Sequence, residues 1–240
     1  MALSLGPQKI AMNPSADSRT GAILDVAALV VVNALAHALL RRLDFGVGVS
    51  AFGIVPTLML ATWLLRRRGV HWRDLGFRRP DSLGKAALWA LGLFVVDMLA
   101  LPMIVDPVSG ALGLEPQQLR AFSDLRGNTF LYLVMLIPVS WGAAAFGEEL
   151  LYRGFLLGRL SDAFGRTVIA TSVALLGQAA LFALGHAYLG PRGMLNAGML
   201  GLAAGLVYRA CGRNLWPLFI AHGLVDSVGI TALYLGVAHG

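Results

Sequence analysis

TFLYLVMLIPVSWGAAAFGEELLYRGF, residues 129–155, decides how this chain is read. Its first nineteen residues, 129–147, carry no charge, a length and apolarity that suit a membrane-crossing helix of about 20 residues. Glu148, Glu149 and Arg153 follow at once. A charged group at bilayer depth costs a few kcal/mol or more, about 2.5–3.5 on insertion scales, so its presence needs a reason.

The rest of the chain shares the apolar character. Of its 240 residues 57% are hydrophobic and only 13% charged, and the mean hydropathy is +0.71. That is far below the charge of a water-soluble domain and points to an integral membrane protein. Seven apolar stretches emerge, near 22–40, 45–65, 86–105, 129–147 (continuing as a helix to about 160), 167–187, 194–211 and 215–238. Runs this long without alternation are helices, because lipid leaves backbone groups no other partners. The expected fold is therefore all-α, a polytopic bundle of about seven spans. Gly198, Gly201 and Gly205 near one face of the sixth suit close helix packing.

The net charge of +6 does not read as a nucleic-acid surface, since the basic residues cluster at the ends of apolar runs. The connection 66–85 holds seven Lys or Arg and is the best cytoplasmic loop. Orienting from it puts the N-terminus inside, with 13 basic residues in inner segments against 5 outside. Trp72, Leu75 and Phe77 in this loop read either as an interfacial segment on the membrane surface or as an ordinary connector. Residues 1–21 read as a flexible polar tail without the apolar core of a signal peptide. Residues 22–128 then form an N-terminal set of spans and 129–240 a second unit. The single cysteine, Cys211, excludes an internal disulfide.

Polar residues within the spans divide into singletons and pairs. Asp25, His37 and Asp97 stand alone; Asp25 is near enough to the inner end to reach water, and His37 and Asp97 read as structural hydrogen-bond partners. The last third contains pairs four residues apart: Glu149 with Arg153, Phe182 with His186, and His222 with Asp226. Residues so spaced share a helix face and can interact. Glu148 is turned about 100° from Glu149. Arg153 can thus neutralise Glu149 while Glu148, without an intrahelical cation, remains free to take a proton from water. Two histidines on successive spans after a Glu-Glu helix could hold a water or a metal ion. Asp226 could orient His222, ligate a metal or add to a hydrogen-bond network.

Glu148-Glu149-x-x-x-Arg153, Phe182-x-x-x-His186 and His222-x-x-x-Asp226, in this order, resemble the three-part signature of the CPBP family. This family, also called Abi, comprises CAAX-processing and bacteriocin-processing intramembrane proteases, including type II CAAX endopeptidases. The resemblance covers about a third of the chain and implies a membrane-embedded endopeptidase whose catalytic core is the last four helices, within 129–240. Carried over, Glu148 would activate water with His186, Glu149 and Arg153 would support it, and His222 with Asp226 would stabilise the oxyanion or bind a metal. A divalent ion such as zinc on His186, His222 and Asp226 is compatible with the family, as is a metal-free glutamate mechanism. Neither HExxH nor HxxEH is present, so the chain is not an ordinary zincin.

Asp226 departs from the family, whose members often carry asparagine there. An ionised aspartate cannot donate a hydrogen bond, which leaves direct oxyanion stabilisation to His222. Depth presents a second difficulty: straight counting puts Glu148 in the inner half of the bilayer but His186 about 28 Å from Thr167, near the outer face. The implied partners are a peptide or membrane-protein substrate, which could carry a lipidated C-terminus, and the lipid bilayer of a bacterial-type cytoplasmic membrane. Two other readings fit the same residues: a proton- or cation-coupled transporter, and a catalytically silent scaffold or immunity-type protein.

Overall fold

The computed structural model describes residues 19–43, 48–165 and 167–237. Residues 1–18 of the expected tail, the expected start of the second span at Phe45 and its last-span end at Ala238 lie outside these residues. Seven long helices and short 3-10 turns make up the described residues, with no strand among them. They are α1 (Arg19–Arg42), α2 (Gly48–Arg67), α3 (Leu83–Ala111), α4 (Thr129–Phe164), α5 (Val168–Gly185), α6 (Gly190–Ala210) and α7 (Trp216–Leu235). Five of them, α1, α3, α4, α5 and α7, are long and apolar enough to cross a membrane, so length and apolarity alone support five of the seven expected spans.

Local chemistry sets the starts of three helices. Ser82, Asn128 and Thr167 each accept a hydrogen bond from the backbone N–H three residues on, which caps α3, α4 and α5. Each cap is followed directly by an apolar run, and lipid reinforces the helix that results. Outward-facing residues such as Met103, Phe130, Val168 and Ile169 are largely exposed, as a lipid-facing surface requires.

The centre of the bundle is α4, packed against α1, α2, α5, α6 and α7. Leu150, Leu151, Arg153, Gly154, Phe155, Leu156 and Leu157 are consecutive or nearly so, and all are buried. A helix buried around its circumference needs neighbours on every side, which fixes its central place. From Met135 to Leu156 it is also wound wider than an α-helix: Leu157 N–H donates to Tyr152 O, five residues back. Pro138 lies inside this stretch and contributes no N–H of its own. A second widened turn, Val96–Ala100, interrupts α3 at Asp97. Such turns recur at functional sites.

The small-residue stripe of α6 does what its spacing implies. Gly198, Gly201 and Gly205 face Ala183, Phe182 and Gln178 of α5, and Gln178 Nε2 donates to Gly201 O at 2.8 Å. One singleton of the sequence reading differs from expectation. Asp25 does not reach water; it is buried and pairs with Arg68 Nη2 at 2.8 Å and Arg159 Nη2 at 2.9 Å, tying α1 to the chain after α2 and to the end of α4.

The basic connection between α2 and α3 is neither a surface helix nor a free connector. It folds back onto the bundle: Trp72 Nε1 donates to Thr62 Oγ1 (3.1 Å), Tyr208 Oη to Leu75 O (2.8 Å) and Leu215 N to Gly76 O (3.1 Å). Phe77 enters an aromatic group with Phe146, Trp216 and Phe219. Gly76 makes this possible with φ +98°, its α-hydrogen facing the Arg213 carbonyl. Gly76→Ala should therefore cost roughly 1–3 kcal/mol in stability, read as a lowered Tm in detergent. An unchanged Tm would show that this loop does not brace the bundle.

Candidate active site

Glu148 sits in the middle of α4 rather than at the end of a span, because α4 runs on to Phe164. It lies sixteen positions before that end, and His186 lies nineteen positions after Thr167 on the helix that returns beside it. The register of this hairpin is visible along its length: Gly177 faces Leu160, and Gly185 faces Tyr152 Oη. The two side chains are thereby brought to one depth. The difficulty with His186 disappears once α4 is allowed its full length.

Glu149 forms the buried hub. Its Oε1 accepts from Arg153 Nη1 at 2.9 Å and from His222 Nδ1 at 2.9 Å. Because a carboxylate only accepts, Nδ1 of His222 carries the proton, and Glu149 orients the ring. Asp226 lies on the other side of the imidazole, its Oδ1 3.8 Å from Nε2. Orientation of His222, one of the roles open to Asp226 in the sequence, thus belongs to Glu149. Phe182 joins the group from α5: its ring lies under the Arg153 guanidinium at 4.4 Å and meets Tyr152, His186 and His222 at ring separations of 5.0, 4.6 and 6.2 Å.

His186 is set by the backbone. Its Nδ1 donates to Phe182 O at 2.9 Å, which leaves Nε2 as the nitrogen with a lone pair. Glu148 and His186 line one cavity of about 260 Å³ between α1, α2, α4 and α5. Glu148 Oε2 is buried there without a hydrogen-bond partner among the described residues. His222 and Asp226 are not cavity-lining, but both are within electrostatic reach of Glu148 and of His186. All seven residues singled out in the sequence therefore gather in one region.

Two residues set aside as singletons belong to it as well. His37 lines the same cavity, with Nδ1 held by Asn33 O at 2.9 Å, the same i−4 carbonyl arrangement as His186 with Phe182. Asp97, at the widened turn of α3, is buried, has Oδ1 unpartnered among the described residues and lies within electrostatic reach of His222 and Asp226. Polarity within an apolar span was the available signal for both; spacing gave none, since their partners come from other helices.

Among the described residues no group of three His, Cys, Asp or Glu side chains is arranged to hold a metal ion. His222 Nδ1 and His186 Nδ1 are each already committed to an acceptor. Each ring thereby keeps Nε2 as its remaining nitrogen.

An all-helical membrane bundle with carboxylates and imidazoles buried at its centre defines an integral membrane protein with a polar site inside the bundle. Residues 130–228 are similar to the family described as type II CAAX prenyl endopeptidase Rce1-like, in line with the resemblance that the motifs carry. The match spans Glu148, Glu149, Arg153, Phe182, His186, His222 and Asp226. Neither the curated proteins nor the solved structures yield a match.

Proposed function

We infer that the protein is an intramembrane endopeptidase that hydrolyses a peptide bond with a water activated by Glu148 and His186. The observation that carries this reading is one cavity lined both by Glu148, whose Oε2 is buried without a partner among the described residues, and by His186, whose Nδ1 is locked by the backbone. Water between them gives one proton to Glu148 as its oxygen attacks the scissile carbonyl carbon. Collapse of the tetrahedral intermediate breaks the C–N bond, and Glu148 returns that proton to the leaving amine. His222, aligned by Glu149, donates from Nε2 to the oxyanion, and Asp226 stabilises the imidazolium that this donation requires. Arg153 and Phe182 hold the hub in place. The low-dielectric surroundings strengthen each of these charges.

The substrate is a peptide or membrane-protein segment presented within the bilayer of a cytoplasmic membrane, with the N-terminus and the basic connection 66–85 on the cytoplasmic side. A lipidated C-terminal segment belongs to the same reading. The test uses the full chain in liposomes, with a farnesylated C-terminal peptide, its unmodified twin and a transmembrane peptide as substrates. Cleavage of at least one, falling about 10²-fold or more in His186→Ala, is expected. Absence of cleavage together with ion flux would replace this reading with transport.

His37 acts as a positioning residue on the α1 wall of the cavity. His37→Ala should lower kcat by up to about 10²-fold with little change in Tm, and His37→Gln should recover part of it. An equal loss in both variants, in proportion to lost folded protein, would make His37 structural only.

A further inference from the structure

We propose that a second cavity, at the C-terminal end of α4 and separate from the peptide-bond chemistry, binds a phosphate-ester anion. The cavity measures about 270 Å³ and lies where the ends of α2, α4 and α6 meet the start of α5. Four arginines line it, Arg68, Arg159, Arg209 and Arg213, against two carboxylates, Asp25 and Asp162. Both carboxylates are taken: Asp25 by Arg68 and Arg159, and Asp162 by Arg159 at 3.0 Å. Arg209 and Arg213 form no ion pair with any described residue. The cavity thus has an excess of two guanidinium groups and no protein carboxylate to meet them.

The setting of Arg213 aims this charge. Arg213 is the one non-glycine residue among the described residues with positive φ, +58°. A left-handed backbone on a residue with a side chain is uncommon and costs roughly 1–3 kcal/mol, which the surrounding structure must maintain. Its guanidinium lies by Tyr208, with Nε 3.5 Å from Tyr208 Oη, and Tyr208 is itself buried and donates to Leu75 O. Guanidinium groups match phosphate geometry.

An arginine at the inner end of a span is ordinary when it simply orients the span. Arg66 and Arg67, on the last turn of α2, are of that kind and are absent from the cavity lining. Arg209 and Arg213 differ because they border a cavity and pair with no carboxylate among the described residues. Either a phospholipid headgroup or a soluble phosphate would supply the missing anion.

The test uses the full chain, purified and delipidated in neutral detergent, and native mass spectrometry. Phosphatidylglycerol, phosphatidylcholine and inorganic phosphate are the probes. Phosphatidylglycerol should bind at least tenfold more tightly than phosphatidylcholine. The double variant Arg209→Ala/Arg213→Gly should lose that preference, and Arg213→Lys should keep most of it. Glycine at 213 relieves the backbone, so the double variant removes charge without adding strain. If it nonetheless fails to fold, Arg209→Ala alone, at an exposed position, should show at least a threefold loss. Displacement by millimolar inorganic phosphate would assign the site to a soluble ester, and resistance to displacement would assign it to the lipid. Equal binding of the two lipids with no phosphate binding, or an unchanged preference in the variants, would overturn the proposal. Neither result depends on whether the chain cleaves peptides.

Discussion

Glu148→Gln is expected to reduce peptide cleavage by about 10²–10⁴-fold while the protein remains folded and retains its Tm. The amide occupies the volume of the carboxylate but cannot take a proton from water. Glu148 Oε2 has no protein partner among the described residues, so the substitution need not disturb the hub. Cleavage rates from single-turnover measurements, beside thermal unfolding in the same detergent, separate chemistry from stability. Glu148→Gln with wild-type turnover would remove Glu148 as the base, whatever the fate of His186. Glu149→Gln provides the contrast: it weakens the bond that orients His222 and exposes the Arg153 charge, so both rate and Tm should fall.

Arg153→Met is expected to be the most destabilising single change, at about 3–5 kcal/mol, because it leaves a buried carboxylate without its cation. Both partners are almost wholly enclosed, Arg153 at 0% and Glu149 at 2% side-chain exposure, so water cannot take the place of the guanidinium. The ring of Phe182 would also lose the cation stacked on it at 4.4 Å. The double variant Arg153→Met/Glu149→Leu should regain much of the loss, since an apolar pair of similar volume carries no desolvation penalty. It should stay inactive, because His222 would have lost its orienting acceptor. Equal Tm for the wild type and Arg153→Met in a thermal melt would show that this buried pair contributes no net stability.

Much of the site was legible because a helix has a period. Four-residue spacing placed Arg153 beside Glu149 and put His222 and Asp226 on one face, and both pairs are in the structure, at 2.9 and 3.8 Å. Phe182 and His186 follow the same spacing, although the bond between them is made by the Phe182 carbonyl rather than its side chain. Widening of α4 over Met135–Leu156 could not be read, since the choice between i−4 and i−5 bonding depends on neighbours as well as on Pro138. Among the described residues five of the seven expected spans are long and apolar enough to cross a membrane.

The sequence by itself determined an all-helical membrane chain and the pairing of Glu149 with Arg153, with Glu148 left outside that pair. Those properties rest on hydropathy and on local helical spacing, which act within a few residues. Only the tertiary structure decided that Glu149 rather than Asp226 holds His222 Nδ1, and that His37 of α1 faces the cavity of Glu148. It also decided that Asp25 is enclosed between Arg68 and Arg159. These contacts join helices far apart in the chain, so they depend on helix register and packing, which no local period encodes.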